Sequence, residues 1–177
     1  MFELDFNIDG NFDRAIEAIG ATEQQVRTAA MRAINKTALW VQSKSAREIS
    51  EQRKIQLKLI RQKLKVAKSN RQILKAFVMA NLYGIKASKL GIPRQNASGS
   101  SVGNRQFPGA FVAKMPKFGH IGIYKRKTAK RLPIQEQYVQ LNPEASEIIR
   151  KNIENEASQV FMKNFDHEFE YVKKLAA

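Results

Sequence analysis

Side chains suited to acid–base or metal chemistry are few in this chain, with two histidines, His120 and His167, and no cysteine. His167 lies in Asp166-His167-Glu168-Phe169-Glu170, residue types that suit a divalent cation. On a helix, however, His167 and Glu168 project about 100° apart, and no second histidine follows three or four residues on. His120 stands between Gly119 and Gly122 in a stretch that reads as a strand. Neither Gly-x-x-x-x-Gly-Lys-[Ser/Thr] nor Gly-x-Gly-x-x-Gly occurs, so no phosphate-cradling loop is expected. No catalytic residue, cofactor site or metal site is assigned, and the chain is not read as an enzyme.

The chemistry that stands out is electrostatic. Between Glu51 and Glu136 there is no Asp or Glu, while the same window carries 20 Lys and Arg. The formal charge of the whole chain is +15, so its middle is a concentrated positive field between two mildly negative ends. Such a field attracts phosphate backbones, acidic membrane surfaces or acidic proteins, and salt weakens it. Lys125, Arg126, Lys127, Lys130 and Arg131 are its densest cluster and the candidate contacts for DNA or an acidic partner. Absence of cysteine removes disulfides and thiolate sites and fits a reducing compartment. Glu3, Asp5 and Asp9 interrupt the place where a secretory leader would have its apolar run, and no apolar run approaches membrane-spanning length. No membrane role is expected.

These residues need a scaffold, and 177 residues with 43% hydrophobic content suffice for a single domain with a true core. Phe2, Leu4, Phe6 and Ile8 alternate with polar residues as in a half-buried strand, and a short helix over Phe12–Ile19 is expected after Asp9-Gly10. Thr22-Glu23-Gln24-Gln25 is a capping box that should open a helix reaching about Glu48, with Trp40 as a core anchor. Lys54–Lys65 reads as a short basic amphipathic helix. Residues 73–83 and 85–90 read as strands, and 91–106 as a mobile Gly/Ser-rich loop. Strands follow at 111–115 and 120–125, a hairpin tip at 127–130, and an extended edge segment at 132–139. Asn142-Pro143-Glu144 then opens a long helix, about 143–174, with an apolar stripe from Ile148 to Val172. The fold class is α+β, with a mainly antiparallel basic sheet packed against long N- and C-terminal helices. Ala110-Phe111-Val112 matches part of an RNA-recognition strand motif, but Gly109 and Lys114 replace two of its stacking aromatics.

The run Phe107-Pro108-Gly109-Ala110-Phe111-Val112-Ala113-Lys114-Met115, followed by Gly119-His120-Ile121-Gly122-Ile123-Tyr124-Lys125-Arg126 and Arg131-Leu132-Pro133-Ile134-Gln135-Glu136, resembles the minor tail protein Z family of long-tailed phages and prophages. The resemblance implies a structural virion protein made in the host cytoplasm and acting at the head-proximal end of the tail, in tail completion and head–tail joining. It implies a ring-like homo-oligomer and, as partners, tail tube, tail terminator or head-connector proteins, with the end of the packaged DNA as a further outlet for the charge. No cofactor is implied. Phe107, Gly109, Phe111, Met115, Gly122, Arg126, Leu132 and Pro133 are the motif and interface candidates. Gly109 and Gly122 would permit close backbone approach or a bulge, Leu132 and Ile134 would pack the sheet, and Arg126 would anchor a carboxylate or phosphate unless it is a solvated hairpin residue. The alternative is a basic nucleic-acid-binding module.

Overall fold

The computed structural model describes residues 2–4, 22–115 and 119–176. The short helix expected over Phe12–Ile19 and the turn expected at 116–119 lie wholly or largely outside them. The class is α+β, and the chain forms two compact units: Met1–Asn81 with Pro143–Ala177, and Leu82–Asn142.

In the first unit, helix α1 (Glu23–Arg53) begins at the expected capping box, with the Thr22 hydroxyl accepting from Gln25 N–H and the Gln25 side chain accepting from Thr22 N–H. It runs one turn past the expected end and stops at Lys54, which takes a left-handed conformation. Val26, Ala29, Ala30, Ala33, Ile34, Ala38, Val41 and Ile49 recur at three- and four-residue spacing and are fully buried. The alanines keep the surface of α1 low, so neighbours approach closely. The expected basic helix shortens to α2 (Leu57–Arg61), and Leu64–Ala67 form strand β2 instead. There Leu64 and Ala67 pair with Ala80 and Phe77 of β3 (Ala76–Ala80), whose ladder outweighs local helical propensity. Strand β1 (Phe2–Leu4) pairs with the other edge of β3. This sheet, in order β1-β3-β2, packs Leu4, Ala76 and Val78 against Ala30, Ala33, Ile34 and Val41.

The C-terminal segment is helix α3 (Glu144–Asn152), a π-helical turn (Ile153–Ala157) and helix α4 (Ser158–Ala176). Pro143 occupies the cap position rather than the first helical turn, a shift of one residue from expectation. The segment lies antiparallel along α1 with a ladder of polar contacts. Arg53 meets Glu144 at 2.8 Å. The Asn152 amide donates to Ser45 Oγ at 3.1 Å and to Glu48 Oε2 at 2.8 Å. Lys44 pairs with Glu156. The Asn164 amide donates to Thr37 Oγ1 at 3.2 Å. Near the far end Glu168 takes both Lys36 and Arg32. Phe161, Phe165 and Phe169 stack successively at 5.8 and 5.7 Å. The π-helical turn lets buried positions step by five residues, from Asn152 to Ala157, and still face α1.

Among its described residues the second unit holds eight short strands in three sheets. The segment expected as a mobile loop is a correction. Arg94–Asn96 (β5), Gly99–Val102 (β6) and Arg105–Pro108 (β7) form an antiparallel meander. A Cβ on Gly99 would lie 2.3 Å from the Phe107 carbonyl oxygen and 2.8 Å from Gly109 N. This glycine is there for close backbone approach, not for mobility. Val102, with Ala87, Ala110 and Ile123, forms one core cluster of the unit, and Leu90 and Phe107 pack against it. Ala110–Lys114 (β8), Ile121–Arg126 (β9) and Ile134–Glu136 (β10) make the second sheet, in order β10-β9-β8. Ile85–Lys86 (β4) pairs with Tyr138–Val139 (β11), which brings the unit's two ends together. The strand expected over 85–90 ends at Lys86 and passes into a 3-10 turn, Ala87–Leu90. The sheet found against the helices is thus β1-β3-β2, and the basic strands form separate small sheets of their own.

Two sets of variants test this packing. Glu168 is buried, and burial pushes its carboxyl up, but Lys36 and Arg32 more than offset this and hold it below the ordinary value of 4.5. A depressed carboxyl stabilises the fold above its unfolded-state pKa, and that contribution is lost as pH falls through the folded-state value. Glu168→Gln should therefore cost about 1–2 kcal/mol at neutral pH, since its cationic partners are half-exposed, and the difference from the parent should vanish in acid. Thermal melts at neutral and acid pH read this. Gly122 of β9 has no room for a side chain, because a Cβ would sit 2.6–2.7 Å from the Tyr124 ring and hydroxyl. Gly99→Ala and Gly122→Ala should each cost about 1–3 kcal/mol by overpacking, read as a lower denaturant midpoint.

Candidate partner-binding surface

Leu82–Asn142 contain eleven Lys and Arg and a single carboxylate, Glu136. That carboxylate is drawn inward on β10. Its Oε2 takes Lys86 Nζ at 2.7 Å and the Tyr138 hydroxyl at 3.4 Å, and its Oε1 lies 3.5 Å from His120 Nε2. The hydrogen bond that Lys86 donates to Glu136 raises the pKa of Lys86, and burial followed by the Glu136 charge raises that of Tyr124. The one acid of the unit is therefore already neutralised by a neighbour.

The β9–β10 hairpin carries the densest positive charge. Lys125, Arg126, Lys127, Lys130 and Arg131 are all exposed, so the structure brings the sequence-expected contact set together on one hairpin. The residues of this hairpin pair Ile134 with Arg126, Gln135 with Lys125 and Glu136 with Tyr124. A groove of about 340 Å³ runs beside them, lined by Lys125, Arg126, Lys127, Gln135, Gln137 and Gln140 together with Glu136 and Tyr138. Arg126 has internal partners, since its guanidinium lies 5.4 Å over the Phe111 ring and donates to the Arg131 carbonyl. It braces the hairpin as well as charging it.

The motif residues divide between packing and surface. Phe107 packs on the unit's core, and Phe111 faces Tyr124 across the β8–β9 pair with ring centroids 6.2 Å apart. Gly109 joins β7 to β8 at φ +68° and donates to the Ser98 carbonyl at 2.9 Å. Met115 follows β8, its N–H donating to the His120 carbonyl and its carbonyl accepting from Gly119 N–H. Gly122 is buried beneath Tyr124. Leu132 and Pro133 precede β10 and are exposed. Leu132, at 66% exposure, does not pack the sheet as its apolar character suggested. The ladder reaches back only to Ile134, so Leu132 belongs to the surface of the hairpin.

Gly99-Ser100-Ser101-Val102-Gly103 has the Gly-x-Ser-x-Gly spacing of a hydrolase nucleophile turn, which corrects the expectation that no such elbow motif occurs in the chain. Ser101 sits within β6, between paired neighbours on both sides, and not at the strand-to-helix elbow that exposes such a serine. His167 is exposed and His120 lies in the other unit, and among the described residues no three His, Asp or Glu cluster at metal-binding distance. No described helix is long and apolar enough to cross a membrane.

The first unit has its own groove, of about 570 Å³, where Arg32, Lys36, Lys68 and His167 surround the buried Glu168, with Leu39 and Tyr171 beside them. Sequence reading missed Glu168 and Asn152 as structural polar residues. Each stands three residues after a stripe position, Phe165 and Ile149, which is the signal that could have found them.

No curated protein and no solved structure matches the chain. A family description does match, "Prophage minor tail protein Z", over residues 10–175, which takes in both units, the basic hairpin and the Phe107–Glu136 motif run. The chain belongs to the prophage minor tail protein Z family, a family of structural phage tail proteins.

Proposed function

We propose that this tail protein acts in tail completion and head–tail joining, at the head-proximal end of the tail. Copies assemble there into a ring that follows the symmetry of the tail. The neighbours in this reading are tail tube, tail terminator or head-connector proteins, and the end of the packaged DNA is a further contact. The protein is made in the host cytoplasm and enters the virion without cofactor or catalysis.

The family match across residues 10–175 carries the reading. The charge distribution supports it, because a unit with eleven cations and one internally neutralised carboxylate is built to meet something negative outside itself. The same charge favours a nucleic-acid-binding module as second reading. Against that alternative, Phe111 is half-buried with a guanidinium over its ring, and Tyr124 is buried, so neither offers a face for base stacking.

Electron microscopy of lysates from a phage or prophage lacking this gene tests the assembly role. The expected result is full heads lying apart from unjoined or abnormal tails. Normal, infectious particles would contradict it.

A further inference from the structure

The edge of β10 has two properties that bear on what docks there. Lys127 N–H donates to the Pro133 carbonyl at 3.1 Å, and Gln137 N–H donates to the Ile123 carbonyl at 2.8 Å. With Gln135 opposite Lys125, this sets residues 133 and 135 as inward-bonding positions, whereas the Gln137 carbonyl accepts from Ala87 N–H at 2.9 Å, so the open edge ends at Glu136. Antiparallel alternation then turns the backbone N–H and C=O groups of Ile134 and Glu136 away from β9. Among the described residues no strand pairs beyond β10. The same alternation puts Lys125, Lys127, Gln135 and Gln137 on one face, and these four line the groove of about 340 Å³.

We propose that this edge is a docking site for an acidic, extended segment of another protein, which adds as a strand to β10 and lays its carboxylates on Lys125 and Lys127. Backbone pairing supplies affinity in such strand addition, and the flanking side chains supply selectivity. Lysines beside an open edge repel basic strands and so discourage pairing with a second copy of the same hairpin. A second copy is also a poor source of carboxylates. The chain carries +15 overall, and eight of the twelve carboxylates among the described residues are in ion pairs within the chain. Exposed Leu132 and Tyr138, at 66% and 42%, stand next to the strand and offer the apolar contact a protein partner uses. A nucleic acid has no backbone amides to pair with the edge, and the groove's one aromatic, Tyr138, has its hydroxyl directed to Glu136. The inference builds on the reading of this hairpin as a partner-binding surface. Its test uses only the purified chain, so its failure would leave the role in tail assembly standing.

The experiment is calorimetric titration of the full chain with a short peptide alternating glutamate and valine, at physiological ionic strength. Binding is expected, weakened about tenfold by the double change Lys125→Gln and Lys127→Gln. N-methylating alternate amides of the peptide, which leaves the protein untouched, should weaken it by a further factor of about ten. Lys58→Gln with Lys65→Gln removes the same charge from the first unit and should change affinity less than about threefold. No binding, or equal binding of the N-methylated peptide, overturns strand addition. Tighter binding of a short DNA duplex with the same dependence on Lys125 and Lys127 overturns the protein partner in favour of nucleic acid.

Discussion

The antiparallel union of α1 with the C-terminal helical segment is the constraint on which the rest depends. It joins the two chain ends into one unit, so everything between Leu82 and Asn142 is an excursion that leaves and re-enters a body already closed by other residues. Apolar contact supplies most of the adhesion, through Val26, Ala29, Ala33, Phe161 and Phe169. Apolar stripes alone tolerate sliding by a turn. The polar rungs at Glu144, Asn152, Asn164 and Glu168 do not, because a shifted register would leave buried groups without partners. The π-helical turn belongs to the same constraint, since it corrects the phase of the helix between two sets of rungs.

Placing the strong charge in the second unit has a structural consequence. The helical unit contains most of the carboxylates and uses them internally, against Arg27, Lys44, Arg53 and the Arg32–Lys36 pair. The second unit has one carboxylate, with short strands and buried residues such as Val102, Ile123, Val139 and Leu141, to oppose the mutual repulsion of its cations. Hydrogen-bonded ladders and glycines at points of close approach do much of its ordering. An interface that neutralises part of this charge would stabilise the unit by mass action and so would couple its folding to partner binding.

Local signals were the legible ones. The Thr22–Gln25 box, the stripe of α1 and the alternation through Phe77 and Val78 led to the right elements because each was satisfied by nearby residues. The basic hairpin was legible too, since charge density needs no tertiary information. Other features depended on contacts distant in sequence. Leu64–Ala67 is a strand only because β3 is there to pair with it. Gly99 reads as a flexible glycine until Phe107 and Gly109 approach it. Leu132 reads as core, but the ladder starts after it. Arg126 reads from the sequence as an external anchor or a solvated hairpin residue, and spacing could not reveal its contacts with Phe111 and the Arg131 carbonyl.

The central claim is that this chain is a tail component whose basic hairpin is neutralised by carboxylates of a neighbouring virion protein. Zero-length carbodiimide crosslinking of purified tails, followed by mass spectrometry, addresses it directly. The account predicts amide links from Lys125, Lys127 or Lys130 to Asp or Glu side chains of a different tail or head-connector protein. Absence of the chain from purified particles, or hairpin lysines that crosslink to no protein and are instead protected by DNA, would contradict it.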